Sequence, residues 1–88
     1  MPRYIIERDV VRVTQEELEA AGRRSVEVLS GMPELTWVKS FISVAEGKIY
    51  CEYEAPDPEM LREHARRAGI PCDKISLVAM EHDPSMFR

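Results

Sequence analysis

The sequence predicts an α+β domain whose elements follow the order strand, helix, strand, strand, helix, strand. Three observations support this order: two capped stretches with apolar residues at helical spacing, four short stretches rich in β-branched and aromatic residues, and a Glu46-Gly47 turn between the two middle strands. The 88 residues have room for one domain only, so residues 1–88 are expected to form a single unit with a thin core.

The first strand and the first helix occupy the first third of the chain. The stretch Arg3 to Arg8 is short and rich in Tyr and Ile, which is typical of a strand. Thr14 and Glu17 have the spacing of a capping box and predict a helix start, while Gly31 and Pro33 predict its end. The inward stripe of this helix is expected to comprise Leu18, Ala21, Ser25, Val28, Leu29 and Met32.

The remaining elements follow from similar local signals. Residues 35–44 and 48–55 are predicted to form a hairpin around the Glu46-Gly47 turn. Asp57 is a good N-cap for the second helix and Gly69 a good end, and residues 73–81 read as the last strand. This order is the split βαβ, or ferredoxin-like, arrangement. Right-handed crossovers then place both helices on one face of a four-stranded antiparallel sheet.

Alternation along the hairpin strands divides their side chains between the two faces of the sheet. The set expected to face the helices comprises Val38, Ser40, Ile42, Ile49, Cys51 and Tyr53. The set expected on the uncovered face comprises Trp37, Lys39, Phe41, Tyr50, Glu52 and Glu54, and Lys39 should lie across from Glu52 or Glu54. The uncovered face is therefore expected to carry three aromatic rings, one cation and two carboxylates.

Such a face is expected to be an interface, because large exposed apolar patches tend to mark interaction sites. The simplest cover is a second copy of the chain related by two-fold symmetry, which gives a dimeric α/β barrel. If Tyr4 and Ile6 of the first strand face the helices, Glu7 lies on the uncovered face near Glu52. Carboxylates gathered in a partly dry space have raised pKa values or attract a cation.

Charge and composition exclude several classes of protein. The chain has 12 Lys and Arg against 16 Asp and Glu, and this net charge of −4 argues against nucleic-acid binding. No apolar stretch is long enough for a transmembrane helix, so no membrane association is expected. The two cysteines form no CxxC motif and no export signal is evident, which predicts a cytoplasmic protein with reduced thiols.

His64 is the strongest single candidate for chemistry. It lies in Glu63-His64-Ala65, on or beside the apolar stripe of the second helix. Either it is a half-buried structural histidine, or it is a metal ligand or proton carrier, because imidazole binds metals and titrates near neutral pH. His82 reads as a solvated residue near the end of the chain. There is no HExxH, EF-hand or phosphate-binding loop.

Four segments resemble a family of small, mostly bacterial proteins that is classed as a domain of unknown function and includes a nickel-binding protein. The segments are residues 1–8 (MPRYIIER), 37–41 (WVKSF), 48–53 (KIYCEY) and 62–69 (REHARRAG), and residues 71–75 complete the match. The resemblance implies a ferredoxin-like fold, a dimer, and nickel as a ligand. It also implies that histidine is common in the family where this chain has Lys39, and a charged ammonium group cannot ligate a metal.

The leading hypothesis is therefore a cytoplasmic, dimeric, ferredoxin-like binding protein, more a binding protein than an enzyme, with a site for nickel or another divalent transition metal. The predicted metal ligands are His64, Glu7, Glu52 and Tyr50, and the predicted pocket or interface residues are Trp37, Lys39, Phe41 and Glu54. A second hypothesis is a dimeric barrel that binds or converts a small aromatic or apolar molecule between the sheets, with a glutamate as base and His64 as acid. A third is a structural or regulatory dimer without a ligand.

Overall fold

The computed structural model describes all 88 residues of the chain. Its elements are β1 (Arg3–Asp9), α1 (Gln15–Leu29), β2 (Thr36–Ser43), β3 (Lys48–Glu54), α2 (Pro58–Ala68) and β4 (Lys74–Leu77), followed by a short 3-10 turn at Pro84–Phe87. The four strands form one antiparallel sheet in the order β2-β3-β1-β4. The predicted α+β arrangement with a four-stranded antiparallel sheet is confirmed, and β1 lies inside the sheet between β3 and β4.

The helix caps form as the sequence predicts. The Thr14 side chain accepts a hydrogen bond from the Glu17 amide, and the Glu17 carboxylate accepts one from the Thr14 amide, both at 3.1 Å. At α2, Asp57 accepts a hydrogen bond from the Met60 amide at 3.0 Å. Gly69 ends α2 in the left-handed conformation with φ 67°. Local capping chemistry therefore fixes both helix starts.

Both helices pack on the same face of the sheet. His64 of α2 contacts Tyr53 of β3, and Ser25 of α1 hydrogen-bonds to His64. The buried apolar core comprises Tyr4, Ile6, Met32, Leu35, Cys51, Tyr53, Ala55 and Leu61. Tyr4 and Ile6 thus face the helices, so Ile5 and Glu7 lie on the opposite face.

A β-bulge in β2 overturns the predicted facing of two residues. Trp37 pairs with Tyr53 and Lys39 with Glu52, so Val38 is an extra residue between them. One extra residue inverts the alternation on its N-terminal side. Trp37, predicted on the uncovered face, therefore lies on the helix side and stacks on Tyr53 with ring centroids 6.5 Å apart. Val38, predicted to face the helices, is exposed.

Two further boundaries differ from the prediction. Ser43 pairs with Lys48, so the hairpin loop has four residues, 44–47, where a two-residue turn is predicted. Because loops of two and of four residues are both even, Lys39 and the residues after it in β2 face the predicted side of the sheet. The strand β4 ends at Leu77, although the sequence predicts a strand to residue 81. The Val78 amide still donates to the Arg3 carbonyl at 2.9 Å, but β1 begins at Arg3 and leaves the residues after Val78 without a pairing partner.

Candidate functional site

One candidate site is the sheet surface that the helices leave uncovered, which we call the open face. Its residues are Arg3, Ile5 and Glu7 of β1, Lys39 and Phe41 of β2, Tyr50, Glu52 and Glu54 of β3, and Lys74 and Ser76 of β4. Phe41 lies opposite Tyr50, which lies opposite Glu7, so an aromatic pair adjoins a carboxylate across three strands. Lys39 lies opposite Glu52, as predicted.

Two of the three carboxylates of the open face, Glu7 and Glu52, are already paired with cations. The Glu52 carboxylate lies 3.2 Å from Arg3 Nε, and the Glu7 carboxylate lies 3.8 Å from Lys74 Nζ. The chain contains no group of three or more His, Cys, Asp or Glu side chains placed to hold a metal ion. The residues of a single chain therefore do not fit a nickel site.

His64 lies on the other side of the sheet from the other predicted ligands. It is fully buried on α2, and its Nε2 is hydrogen-bonded to Ser25 Oγ of α1 at 2.9 Å, while Nδ1 has no partner. Burial lowers the pKa of His64, and the positive charge of Arg8 lowers it further. The sheet thus separates His64 from Glu7 and Glu52, and these residues do not form one site.

A buried polar cluster on the helix side was missed by the sequence reasoning. The side chain of Arg8 is buried; its Nε donates to Cys51 Sγ at 3.4 Å and its Nη1 to the Pro71 carbonyl at 2.5 Å. Its guanidinium lies 5.9 Å from the Tyr53 ring centroid, and burial raises the pKa of the Tyr53 hydroxyl. The alternation of Tyr4, Ile6 and Arg8 along β1 was the available signal, because it puts an arginine in a buried position.

Next to this cluster lies a cavity of about 410 Å³ between α1 and the sheet, which we call the α1 cavity. Its apolar wall comprises Val13, Leu18, Ala21, Trp37, Ile42 and Ile49. Polar groups reach it from Arg8, Ser25 and Ser40. The Ser40 hydroxyl accepts a hydrogen bond from Trp37 Nε1 at 2.9 Å and donates one to Cys51 Sγ at 3.0 Å. This cavity lies within one chain, and not between two sheets as the second hypothesis expected.

The structure thus sorts the predicted site residues into two groups. The open face brings together Glu7, Lys39, Phe41, Tyr50, Glu52 and Glu54. His64 and Trp37 lie on the helix side, where Trp37 borders the α1 cavity. The roles assigned to these residues stay predictions.

A four-stranded antiparallel sheet with this strand order, two helices on one face and an open opposite face fits the ferredoxin-like class of α+β domains. Within that class, the chain belongs to the family described as nickel responsive protein, SCO4226-like, whose model matches residues 4–78. The family resemblance seen in the sequence is thereby confirmed. A search of curated proteins finds no match.

Among solved structures, the chain is similar to the crystal structure of SCO4226 from Streptomyces coelicolor A3(2). The two share 22% identity over 91% of this chain and 99% of that chain, with a TM-score of 0.79. At this identity the likeness establishes the fold. Neither helix is long and apolar enough to cross a lipid bilayer.

Proposed function

We propose that this protein is a non-catalytic binding protein that acts as a homodimer through its open face and takes part in the nickel response for which its family is named. The observation that supports the proposal is the pairing of Phe41, on the edge strand β2, with Tyr50 of β3 on a sheet surface that no element of the chain covers. The Phe41 side chain is 62% exposed, although it lies within a strand.

A second copy of the chain is the occupant that fits this surface. The open face carries both signs of charge: the cations are Lys39 on β2, Arg3 on β1 and Lys74 on β4, and the carboxylates are Glu7, Glu52 and Glu54 on the two central strands. A face with both signs is self-complementary under a two-fold axis, which is the commonest symmetry of homo-oligomers. Phe41 and its symmetry mate would leave water together, and burial of apolar area is the main driving force of association. The result would be the dimeric α/β barrel that the sequence predicts.

We propose that nickel is bound where the two open faces meet, by Glu7 and Glu52 of both copies. One chain has too few ligands, and the dimer doubles the number of carboxylates at the axis. Carboxylate oxygens favour hard cations and so do not select nickel by ligand type. A preference for nickel over manganese would come only from the Irving–Williams order of metal affinities. Since Lys39 stands where the family resemblance implies a histidine, we expect nickel to bind less tightly than at an imidazole site.

The dimer is tested by sedimentation equilibrium. Wild type is expected at twice the 10.1 kDa chain mass, and Phe41→Lys at the chain mass, because each copy would bury an ammonium group without a new counter-charge in the interface. The matched control is Val26→Lys, an exposed apolar residue of α1 away from the open face, which should remain dimeric. A monomeric wild type, or a dimer that survives Phe41→Lys, would contradict the proposal.

A further inference from the structure

We propose that the α1 cavity binds a small apolar carboxylate, with the guanidinium of Arg8 as its charge partner. This site is independent of the proposed function, because it lies on the opposite side of the sheet from the open face. Three features of the helix side support the inference: the volume of the α1 cavity, the buried charge of Arg8 without a counter-charge, and the apolar lining of the cavity.

The helix α1 stands over the cavity and does not close onto the sheet. Leu18 and Ala21 on its inner stripe are only partly buried, and Ser25 is the single buried residue of the whole helix. A helix that packed directly on the sheet would bury this stripe, since protein interiors are close-packed. The volume of about 410 Å³ falls in the range of small-molecule sites.

Arg8 brings a buried positive charge to this space without a counter-charge. The residue is 3% exposed, and none of the seven ion pairs of the chain includes it. Its acceptors are one backbone carbonyl and the Cys51 thiol, which is a weak acceptor, and its Nη2 has no hydrogen-bond partner. A buried charge is normally paired, so this guanidinium calls for an anion that the chain does not supply.

The acidic residues at the cavity do not supply that anion, because they are engaged elsewhere. Asp9 forms an ion pair with Lys48, and the Glu17 carboxylate accepts the Thr14 amide in the capping box. Arg24 adds a second cation to the wall, with its Nε donating to the Ala68 carbonyl at 2.9 Å. The positive charge at the cavity is therefore not neutralised locally.

The lining of the cavity indicates the chemistry of the part of the ligand that is not the carboxylate. It is mostly apolar, with the Trp37 ring and the aliphatic side chains of Leu18, Ile42 and Ile49. An apolar body would fill this space, and a carboxylate suits a guanidinium through charge-assisted hydrogen bonds.

The proposal is tested with 4-phenylbutyrate as the probe and 4-phenylbutanol as its neutral counterpart. Trp37 is the only tryptophan of the chain and borders the cavity, so its fluorescence reports binding directly. We expect a saturable change with the carboxylate, at least about ten-fold weaker binding of the alcohol, and no saturable change with acetate at the same concentrations. Equal binding of carboxylate and alcohol, or no binding of the carboxylate, would overturn the proposal.

Two variants and a control locate the site. Arg8→Met should weaken phenylbutyrate at least about ten-fold and leave phenylbutanol nearly unchanged. Gly22→Leu places a side chain into the cavity from α1, where a Cβ meets no atom within 4 Å, and should abolish binding of both probes in a folded protein. Arg23→Met changes an exposed arginine of the same helix outside the cavity and should bind like wild type. Wild-type binding by Gly22→Leu would overturn the proposal even if Arg8→Met fails to fold.

Discussion

His64 shows what burial does to an ionisable side chain in this small protein. It has one hydrogen bond, to Ser25, and it shares the helix side with the Arg8 guanidinium and the Tyr53 hydroxyl, neither of which offers a negative charge. The imidazole in the folded protein therefore takes up a proton only at a lower pH than in the unfolded chain, where histidine titrates near pH 6.5. The difference makes His64 a source of pH-dependent stability.

We predict that the free energy of unfolding decreases as the pH falls below about 6.5, with a contribution from His64 of at most about 1.4 kcal/mol per pH unit. The sign follows from its lowered pKa. As the pH falls below 6.5, the unfolded state binds a proton that the folded state binds only at lower pH, so acid favours unfolding. Urea denaturation of wild type and His64→Gln between pH 7.5 and 5.0 measures the difference in slope. His82→Gln, a change at an exposed histidine, should keep the wild-type slope. Identical slopes for wild type and His64→Gln would contradict this.

At the scale of the elements, the two glycines Gly69 and Gly22 are expected to respond in opposite ways to substitution by alanine. Gly69 ends α2 in the left-handed conformation with φ 67°, which other residues adopt at a cost. Gly22 lies within α1 in ordinary helical conformation, and a Cβ there would meet nothing. The same substitution therefore has different consequences at the two positions.

Gly69→Ala is predicted to lower the free energy of unfolding by about 1–2 kcal/mol, because alanine is strained in the left-handed region. Gly22→Ala is predicted to raise it by up to about 1 kcal/mol, because alanine restricts the unfolded chain and favours the helix. Urea denaturation at pH 7.5 compares both with wild type. A free energy of unfolding that does not fall in Gly69→Ala would contradict the left-handed end of α2, and one that falls in Gly22→Ala would contradict the open space at Gly22.

The elements that could be predicted from the sequence are those with local signals. The two helix starts are predicted by Thr14 with Glu17 and by Asp57 with Pro58, because capping interactions act within one turn of the chain. The bulge at Val38 has no such signal, because it depends on how β2 pairs with a strand further along the chain. The error in the facing of Trp37 and the composition of the α1 cavity both follow from that pairing.

At the scale of the whole molecule, the sheet separates two surfaces of different chemistry. The open face combines exposed aromatic and charged side chains, whereas the helix side combines a buried guanidinium, an imidazole and an apolar wall. Placing Glu7 on the open face depended on the parity of β1, which the sequence left open and which the burial of Tyr4 and Ile6 decides. The apolar stripe of α2 already indicated that His64 faces the sheet from the helix side, so the predicted topology itself separates it from Glu7 and Glu52.

Isothermal titration with Ni²⁺ tests which surface binds the metal. We predict one nickel per two chains for wild type, and a loss of affinity of more than about ten-fold for Glu7→Gln/Glu52→Gln, because the change removes the charged ligands. The control Glu27→Gln/Glu34→Gln removes the same charge from exposed positions away from the open face and should bind like wild type.

His64→Ala completes this comparison. The enclosed imidazole lies across the sheet from the carboxylates, so the variant should bind nickel with wild-type affinity. Loss of binding in His64→Ala, with wild-type binding in Glu7→Gln/Glu52→Gln, would move the metal to the helix side.

The bulge at Val38 also bears on how relatives of this chain should be compared. A relative with the same number of residues but a regular β2 would keep an aromatic residue in the same alignment column as Trp37, yet that ring would point away from the helices. Chemical similarity in this column would then hide a change of surface. Within the first residues of β2, the presence of the bulge decides more about the role of a side chain than its residue type does.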